Sequence, residues 1–188
     1  FKTLHLILIL KGKQIMKKTL FTVLILGMAQ IAVGADGTIN FTGKIVDNTC
    51  AVNTASQNLT VTLPTVNKSS LDVADRTAGL TLFSIQLDSC DGKNILAYFE
   101  PTPGKVDFNS GRVINTNTTT GSSVEIELLD SDATRVLQLS ENDGHQNAQR
   151  QSITAANNKL RYFARYRAKQ TAVAGDVAGS VDYTISYE

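Results

Sequence analysis

Histidine is scarce here, and with it much of the chemistry that a chain of this size could carry. Two histidines occur in 188 residues, His5 and His145. Only His145 lies beyond the expected leader, in the polar run Glu141-Asn142-Asp143-Gly144-His145. A Ser-His-Asp arrangement would have to use it, and no Gly-x-Ser-x-Gly elbow accompanies it, so it reads as a solvated loop residue. One histidine and two cysteines do not make a zinc or iron site, which needs a fuller set of soft ligands. Asp130-x-Asp132-x-Thr134 followed by Glu141 imitates a calcium loop, but Arg135 stands where the sharp turn needs glycine and the flanks read as strands, so a β-hairpin is expected. No catalytic residue, metal, cofactor or small-molecule substrate is expected.

The sequence also lacks a membrane-spanning run, helical periodicity and a lasting excess of basic charge. Met16 opens "MKKTLFTVLILGMAQIAVGA", in which Lys17 and Lys18 precede an apolar stretch shorter than the roughly 20 residues a span requires. Small residues follow it, so residues 16–34 read as a secretory signal peptide, with cleavage after Gly34 or after Ala35 both reasonable. Residues 1–15 begin without Met and are expected to be upstream sequence outside the product. Five of the 18 basic residues and none of the 17 acidic ones precede residue 35, so 13 against 17 remain and the net charge becomes −4. That balance gives no reason to expect nucleic acid as a partner. The arginines of "LRYFARYRAKQ" alternate with aromatics, yet on a strand Leu160, Tyr162, Ala164, Tyr166 and Ala168 share one face, leaving Arg161, Arg165 and Arg167 on a solvated back.

What is present is a series of short alternating runs separated by Gly, Asn, Asp, Ser and Thr. Strands are expected at 58–63, 80–87, 94–100, 123–129, 135–139, 160–168 and 179–188. With the opening stretch "GTINFTGKIVDNTC" (37–50) these make about eight, the number of an immunoglobulin-like sandwich. Cys50 and Cys90, in an exported chain, are expected to form a disulfide. Both ends of the mature chain alternate: Ile39, Phe41 and Ile45 with Gly43 in register at one end, and Val181, Tyr183, Ile185 and Tyr187 at the other. A strand with apolar residues up to the last two positions must be tied into a sheet, because a free end would expose them.

Three of these pieces together resemble the chaperone–usher fimbrial subunits, the pilins of type 1 and P pili. They are "GTINFTGKIVDNTCAV" before and around the first cysteine, "GLTLFSIQLDSC" leading to the second, and the terminal "GDVAGSVDYTISYE", with Gly175 fourteen residues from the end and the penultimate aromatic Tyr187. The resemblance runs from Asp36 to Glu188. It implies an all-β fold, an incomplete immunoglobulin-like β-sandwich completed by a donor strand from another chain. Residues 35–47 would be the N-terminal donor extension and 48–188 the pilin domain.

The resemblance further implies a structural subunit of an adhesive bacterial fimbria. A periplasmic chaperone lends a strand to its open groove, and at the outer-membrane usher the extension of a neighbouring subunit replaces it, by β-strand addition. Export would then run through the periplasm to an extracellular fimbrium on the cell surface. Ile39, Phe41, Gly43 and Ile45 would form the donor face. Burial of the three apolar side chains plus a backbone ladder would stabilise the contact by roughly 5–10 kcal/mol before ordering costs. The acceptor groove would involve Tyr162, Tyr166, Gly175, Val181, Tyr183, Ile185 and Tyr187, bordered by the C-terminal strand and by 160–168 as its neighbour. The extension before Gly37 is short, as in minor adaptor subunits, so rod subunit and minor linker both stay open. The alternative is a self-complete secreted β-sandwich binding module whose first strand pairs within its own domain. Deleting residues 35–46 would destabilise that module but leave a fimbrial domain intact.

Overall fold

The computed structural model describes residues 39–43, 50–117 and 123–187. The expected leader, Ile45 and the rest of 44–49 lie outside them. The chain divides into two units, Phe1–Lys44 and Ile45–Glu188. Of the first, residues 39–43 carry neither helix nor strand, and Ile39 and Phe41 are 79% and 88% exposed.

In the second unit the described residues form nine strands: β1 (Ala51–Val52), β2 (Thr77–Asp88), β3 (Asn94–Phe99), β4 (Val106–Asp107), β5 (Arg112–Val113), β6 (Val124–Leu129), β7 (Gln151–Ser152), β8 (Lys159–Ala168) and β9 (Tyr183–Tyr187). They pair antiparallel in a six-stranded sheet, β1-β2-β8-β6-β5-β4, and a three-stranded sheet, β7-β3-β9. The all-β sandwich follows from period-two alternation, because each strand sends every second side chain toward the layer between the sheets. From β2 these are Ile85 and Leu87, and from β8 Leu160, Tyr162 and Ala164, all buried in one cluster with Ile95, Ala97 and Phe99 of β3. Tyr162 ties the layers together. Its ring meets Phe99 edge-on at 5.2 Å, its hydroxyl accepts the Ala97 amide at 2.8 Å, and burial pushes its pKa up to about 12. Cys50 and Cys90 are disulfide-bonded, joining the chain just before β1 to the end of β2.

Two expected strands form no ladder. Residues 135–139 make a single bridge, Val136 to Leu129, although Leu137 and Leu139 are fully buried. Their amides go instead to the carbonyls of Leu128 and Gly111. Alternation reported burial correctly there, but burial does not require a partner strand. The segment 58–63 also carries no strand. The expected β-hairpin at 130–135 is a tight turn between Leu129 and Val136, in which the Asp130 carboxylate accepts the Ser131 and Gln149 amides and pairs with Arg135 at 2.9 Å.

The back of β8 also differs from the expectation. Arg161 is exposed, but Arg165 and Arg167 lie over Glu125 and Glu127 of β6, each only 2% exposed. Glu127 pairs with Arg112 at 2.8 Å and Arg165 at 2.6 Å, while Glu125 pairs with Lys169 at 3.1 Å. A carboxylate buried on a sheet face needs cations brought over it, and antiparallel β5 and β8 supply them from both sides. At the margin of this cluster Asp107 meets Lys169 at 2.9 Å. That hydrogen bond, aided by the Asn109 amide, lowers the Asp107 pKa from 3.8 to about 2 and raises that of Lys169. A depressed carboxylate contributes stability above its unfolded pKa and loses it as pH falls through the folded value. Asp107→Asn is therefore expected to lower the urea midpoint at pH 6 and to match the parent at pH 2. A gap of equal size at both values would contradict this assignment.

Candidate functional site

The segment that follows β1 runs along the free edge of β2. The Asn53 amide bonds the Gln86 carbonyl at one end, and at the other the Pro64 ring lies near Gly79, where β2 bulges at a φ of +74°. A Cβ at Gly79 would come 3.0 Å from the Tyr166 ring, so the bulge and the tyrosine covering it require glycine there. Residues 59–66 thus occupy the position of an edge strand, yet their backbone makes no hydrogen bond among the described residues. Leu59, Val61 and Leu63 alternate as a strand's side chains would. The segment joins no ladder among the described residues.

Across from it is the other sheet's edge. β9 pairs with β3 on one side only, and residues 179–182, expected to be part of the same strand, precede it without a ladder. Between the two edges opens an apolar groove of about 660 Å³. One lip is 57–63 and the other 179–183. The floor is Phe83 and Ile85 of β2, Phe99 of β3, and Val113, Ile126, Leu128 and Ala164 of the larger sheet. Phe83 and Ile126 are only half-buried although they belong to the core. Both line the floor of the groove, so their exposed area faces its opening.

Gly179 on the lip packs closely on the larger sheet: a Cβ there would stand 2.8 Å from the Ile114 carbonyl oxygen and 3.0 Å from Val113 Cγ1. At the far end Tyr183 donates its hydroxyl to the Ser56 carbonyl at 2.7 Å. Burial raises the pKa of the Tyr183 phenol, so it remains a neutral donor at ordinary pH.

The residues expected to form the groove separate into three groups. Val181 and Tyr183 line it. Ile185 and Tyr187 lie on the same strand beyond its end, packed on the core, with the Tyr187 hydroxyl on the Cys50 carbonyl at 3.2 Å. Tyr162, Tyr166 and Gly175 are not on its wall: Tyr162 is buried beneath Phe83 and Phe99, Tyr166 covers Gly79, and Gly175 is exposed in a bend. The expected border along 160–168 is also corrected. β8 is an inner strand between β2 and β6, and only its Ala164 reaches the groove. The second lip is 57–63, whose alternation was visible but gave no sign of which neighbour it would face. Of the expected donor face, Ile39 and Phe41 are exposed, Gly43 is described in the same segment, and Ile45 lies outside the described residues.

Comparison with known proteins adds an independent line. The family model described as type-1 fimbrial protein, A (FimA) matches residues 63–188. The F17 fimbrial protein of Escherichia coli is 42% identical over 159 residues, covering 81% of this chain and 88% of that protein. The major fimbrial subunit SMF-1 of Stenotrophomonas maltophilia (strain K279a) is 39% identical over 158 residues, covering 81% of this chain and 93% of that one. Among solved structures, the P pilus rod subunit PapA superposes with a TM-score of 0.56 at 17% identity, covering 74% of this chain and 99% of the other, a likeness of fold.

Proposed function

Because this chain belongs to the type-1 fimbrial protein family, whose members are structural subunits of extracellular fimbriae and not enzymes, we propose that it polymerises by strand donation. The groove of one subunit receives the N-terminal segment of the next, with Ile39, Phe41, Gly43 and Ile45 as the inward face. The observation that carries this reading is the groove itself: an apolar floor between two edges, one of which, 59–66, makes no backbone hydrogen bond among the described residues. An inserted strand would give both edges a ladder and cover Phe83 and Ile126, with main-chain bonds supplying affinity and alternate side chains supplying fit. The lip 57–63 is seven residues long, as is the stretch from Ile39 to Ile45. At about 3.3 Å per residue an extended Ile39–Ile45 would span roughly 23 Å.

An empty groove of this kind is an aggregation hazard, since an exposed apolar cleft beside an unpaired edge templates non-specific pairing. A periplasmic chaperone that fills it until an outer-membrane usher brings the next subunit meets that need. SMF-1 is named as a major subunit, and its similarity to this chain favours a repeated shaft position over a single linker position.

Strand-exchanged polymers dissociate slowly and resist detergent until heated. The purified protein is therefore expected to give an SDS-resistant ladder of many evenly spaced rungs that collapses to monomer on boiling. A single monomer band at every loading would overturn strand donation and favour a self-complete sandwich.

A further inference from the structure

Each sheet of the sandwich also has an outer face, and the two outer faces carry unpaired charges of opposite sign. On the larger sheet Phe163 of β8 stands directly across from Leu82 of β2, and Arg161 stands across from Ser84. The residues between them, Tyr162 and Phe83, turn toward the core, so by alternation these four look outward. Leu82 and its neighbour Leu80 are half exposed. Arg165 and Arg167 of the same strand are paired with glutamates, whereas Arg161 is exposed and makes no ion pair among the described residues. On the smaller sheet Tyr98 points outward between the buried Ala97 and Phe99, across from Thr184. Two carboxylates flank it. Thr184 donates to Glu100 at 2.6 Å, and Ser186, two residues along, donates to Asp143 at 2.9 Å. Burial, and then the charges of Glu100 and Asp143, raise the pKa of the Tyr98 phenol, in keeping with their place beside the ring. Asp182 is paired with Lys105 at 2.6 Å and Arg150 reaches the Ser186 carbonyl at 3.1 Å, but Glu100 and Asp143 make no ion pair among the described residues.

Resting on strand donation for the direction of growth, we infer that these two outer faces dock copies in neighbouring fibres side by side. Leu82 and Phe163 of one copy cover the Tyr98 ring of the other, and Arg161 enters between Glu100 and Asp143. A donated strand lies along the lips of the groove, so a fibre grows along the strands and its outer sheet faces are turned sideways. The occupant is a second copy because each face supplies what the other lacks. One offers an unpaired guanidinium beside apolar side chains, the other unpaired carboxylates around an aromatic ring, which also attracts a cation. The two patches lie on opposite sides of the sandwich, so the contact is heterologous: it does not close as a symmetric pair and can be repeated from copy to copy. A single contact between exposed charges is weak, but a fibre repeats it at every subunit, and repetition holds the bundle.

The test uses fibres of Ser84→Cys and fibres of Asn142→Cys, assembled separately, mixed, and treated with a short bifunctional thiol reagent. Ser84 stands across from Arg161, and Asn142 is next to Asp143. Boiling dissolves strand-donated joints, so a covalent dimer in boiled lanes reports the side contact and the ladder in unboiled lanes reports strand donation. The mixture is expected to give a dimer band well above that of either fibre alone. Its yield is expected to fall at least about threefold when the Ser84→Cys fibres also carry Arg161→Glu, and to recover when the Asn142→Cys fibres carry Glu100→Lys as well. Raising the salt from about 0.01 M to about 1 M, which shortens the screening length from about 30 Å to about 3 Å, is expected to lower it too. A yield unmoved by Arg161→Glu, or no dimer at all, with the unboiled ladder present would overturn side docking and leave strand donation standing. Absence of the ladder would overturn strand donation, and the fibre-to-fibre contact with it. Should either cysteine variant fail to fold, light scattering of fibres without the added cysteines is read instead. Less bundling by Arg161→Glu fibres than by the parent is then expected, and equal scattering would overturn the proposal.

Discussion

Phe41→Arg is expected to abolish the SDS-resistant ladder while leaving the domain folded. Phe41 is 88% exposed in its own chain, and a change at such a surface site ordinarily alters stability by less than about 0.5 kcal/mol. In a neighbour's groove the same residue would face a floor of Phe83, Ile85 and Leu128. There the substitution removes about 1.5–3 kcal/mol of apolar burial, and an unpaired guanidinium in such a site costs several kcal/mol more. The sum approaches the whole stabilisation expected of the contact. Because the variant keeps its own groove, it is also expected to act as a chain terminator. Mixed with unaltered protein before assembly, it receives a donor but cannot give one, so mean fibre length falls as its fraction rises. Ladders of normal length from Phe41→Arg alone would remove the donor role of this residue.

Removing the disulfide has the largest expected effect on the domain itself. Cys50→Ser with Cys90→Ser opens a loop of 40 residues. In the chain-entropy model that costs about 4 kcal/mol. Domains of this size have roughly 5–15 kcal/mol in all, so the variant is expected to be close to unfolding at 37 °C. The loss also has a local consequence. Cys50 anchors the segment that carries the Ser56 carbonyl and leads into the lip 57–63, so the groove is expected to lose its shape before the inter-sheet core around Tyr162 melts. Urea unfolding followed by amide hydrogen exchange of residues 50–63, compared against far-UV dichroism, would separate the two events. A loss below about 1 kcal/mol would show that the bridge merely decorates a domain already closed by other contacts.

Much of the fold could be read from period-two alternation. It placed Leu160, Tyr162 and Ala164 on the core side of β8 and Val181 and Tyr183 together on one face of the C-terminal segment, packed against the same core. The parity of a strand is a local property, set by successive side chains pointing to opposite faces. The pairing of Cys50 with Cys90 was readable for another reason: two cysteines in an exported chain leave one partner each. Neighbours were harder. The C-terminal strand pairs with β3, nearly ninety residues earlier, and not with 160–168 as expected from order along the chain. Chain order is a poor guide in a sandwich, where successive strands change sheets. The outward glutamates Glu125 and Glu127 likewise became buried only because cations from β5 and β8 were brought over them.

The N-terminal segment and the groove show the same division most clearly. The sequence by itself determined that residues 39–45 have one apolar face and that 58–63 and 179–187 alternate, since each of these facts resides in a few consecutive side chains. Only the tertiary structure decided that 57–63 and 179–183 become opposite lips of one groove, with no ladder between them among the described residues. A strand's alternation specifies which side chains must be buried but is silent about whether a partner is present, because the partner's hydrogen bonds come from residues far away in the chain or, as proposed here, from another chain altogether.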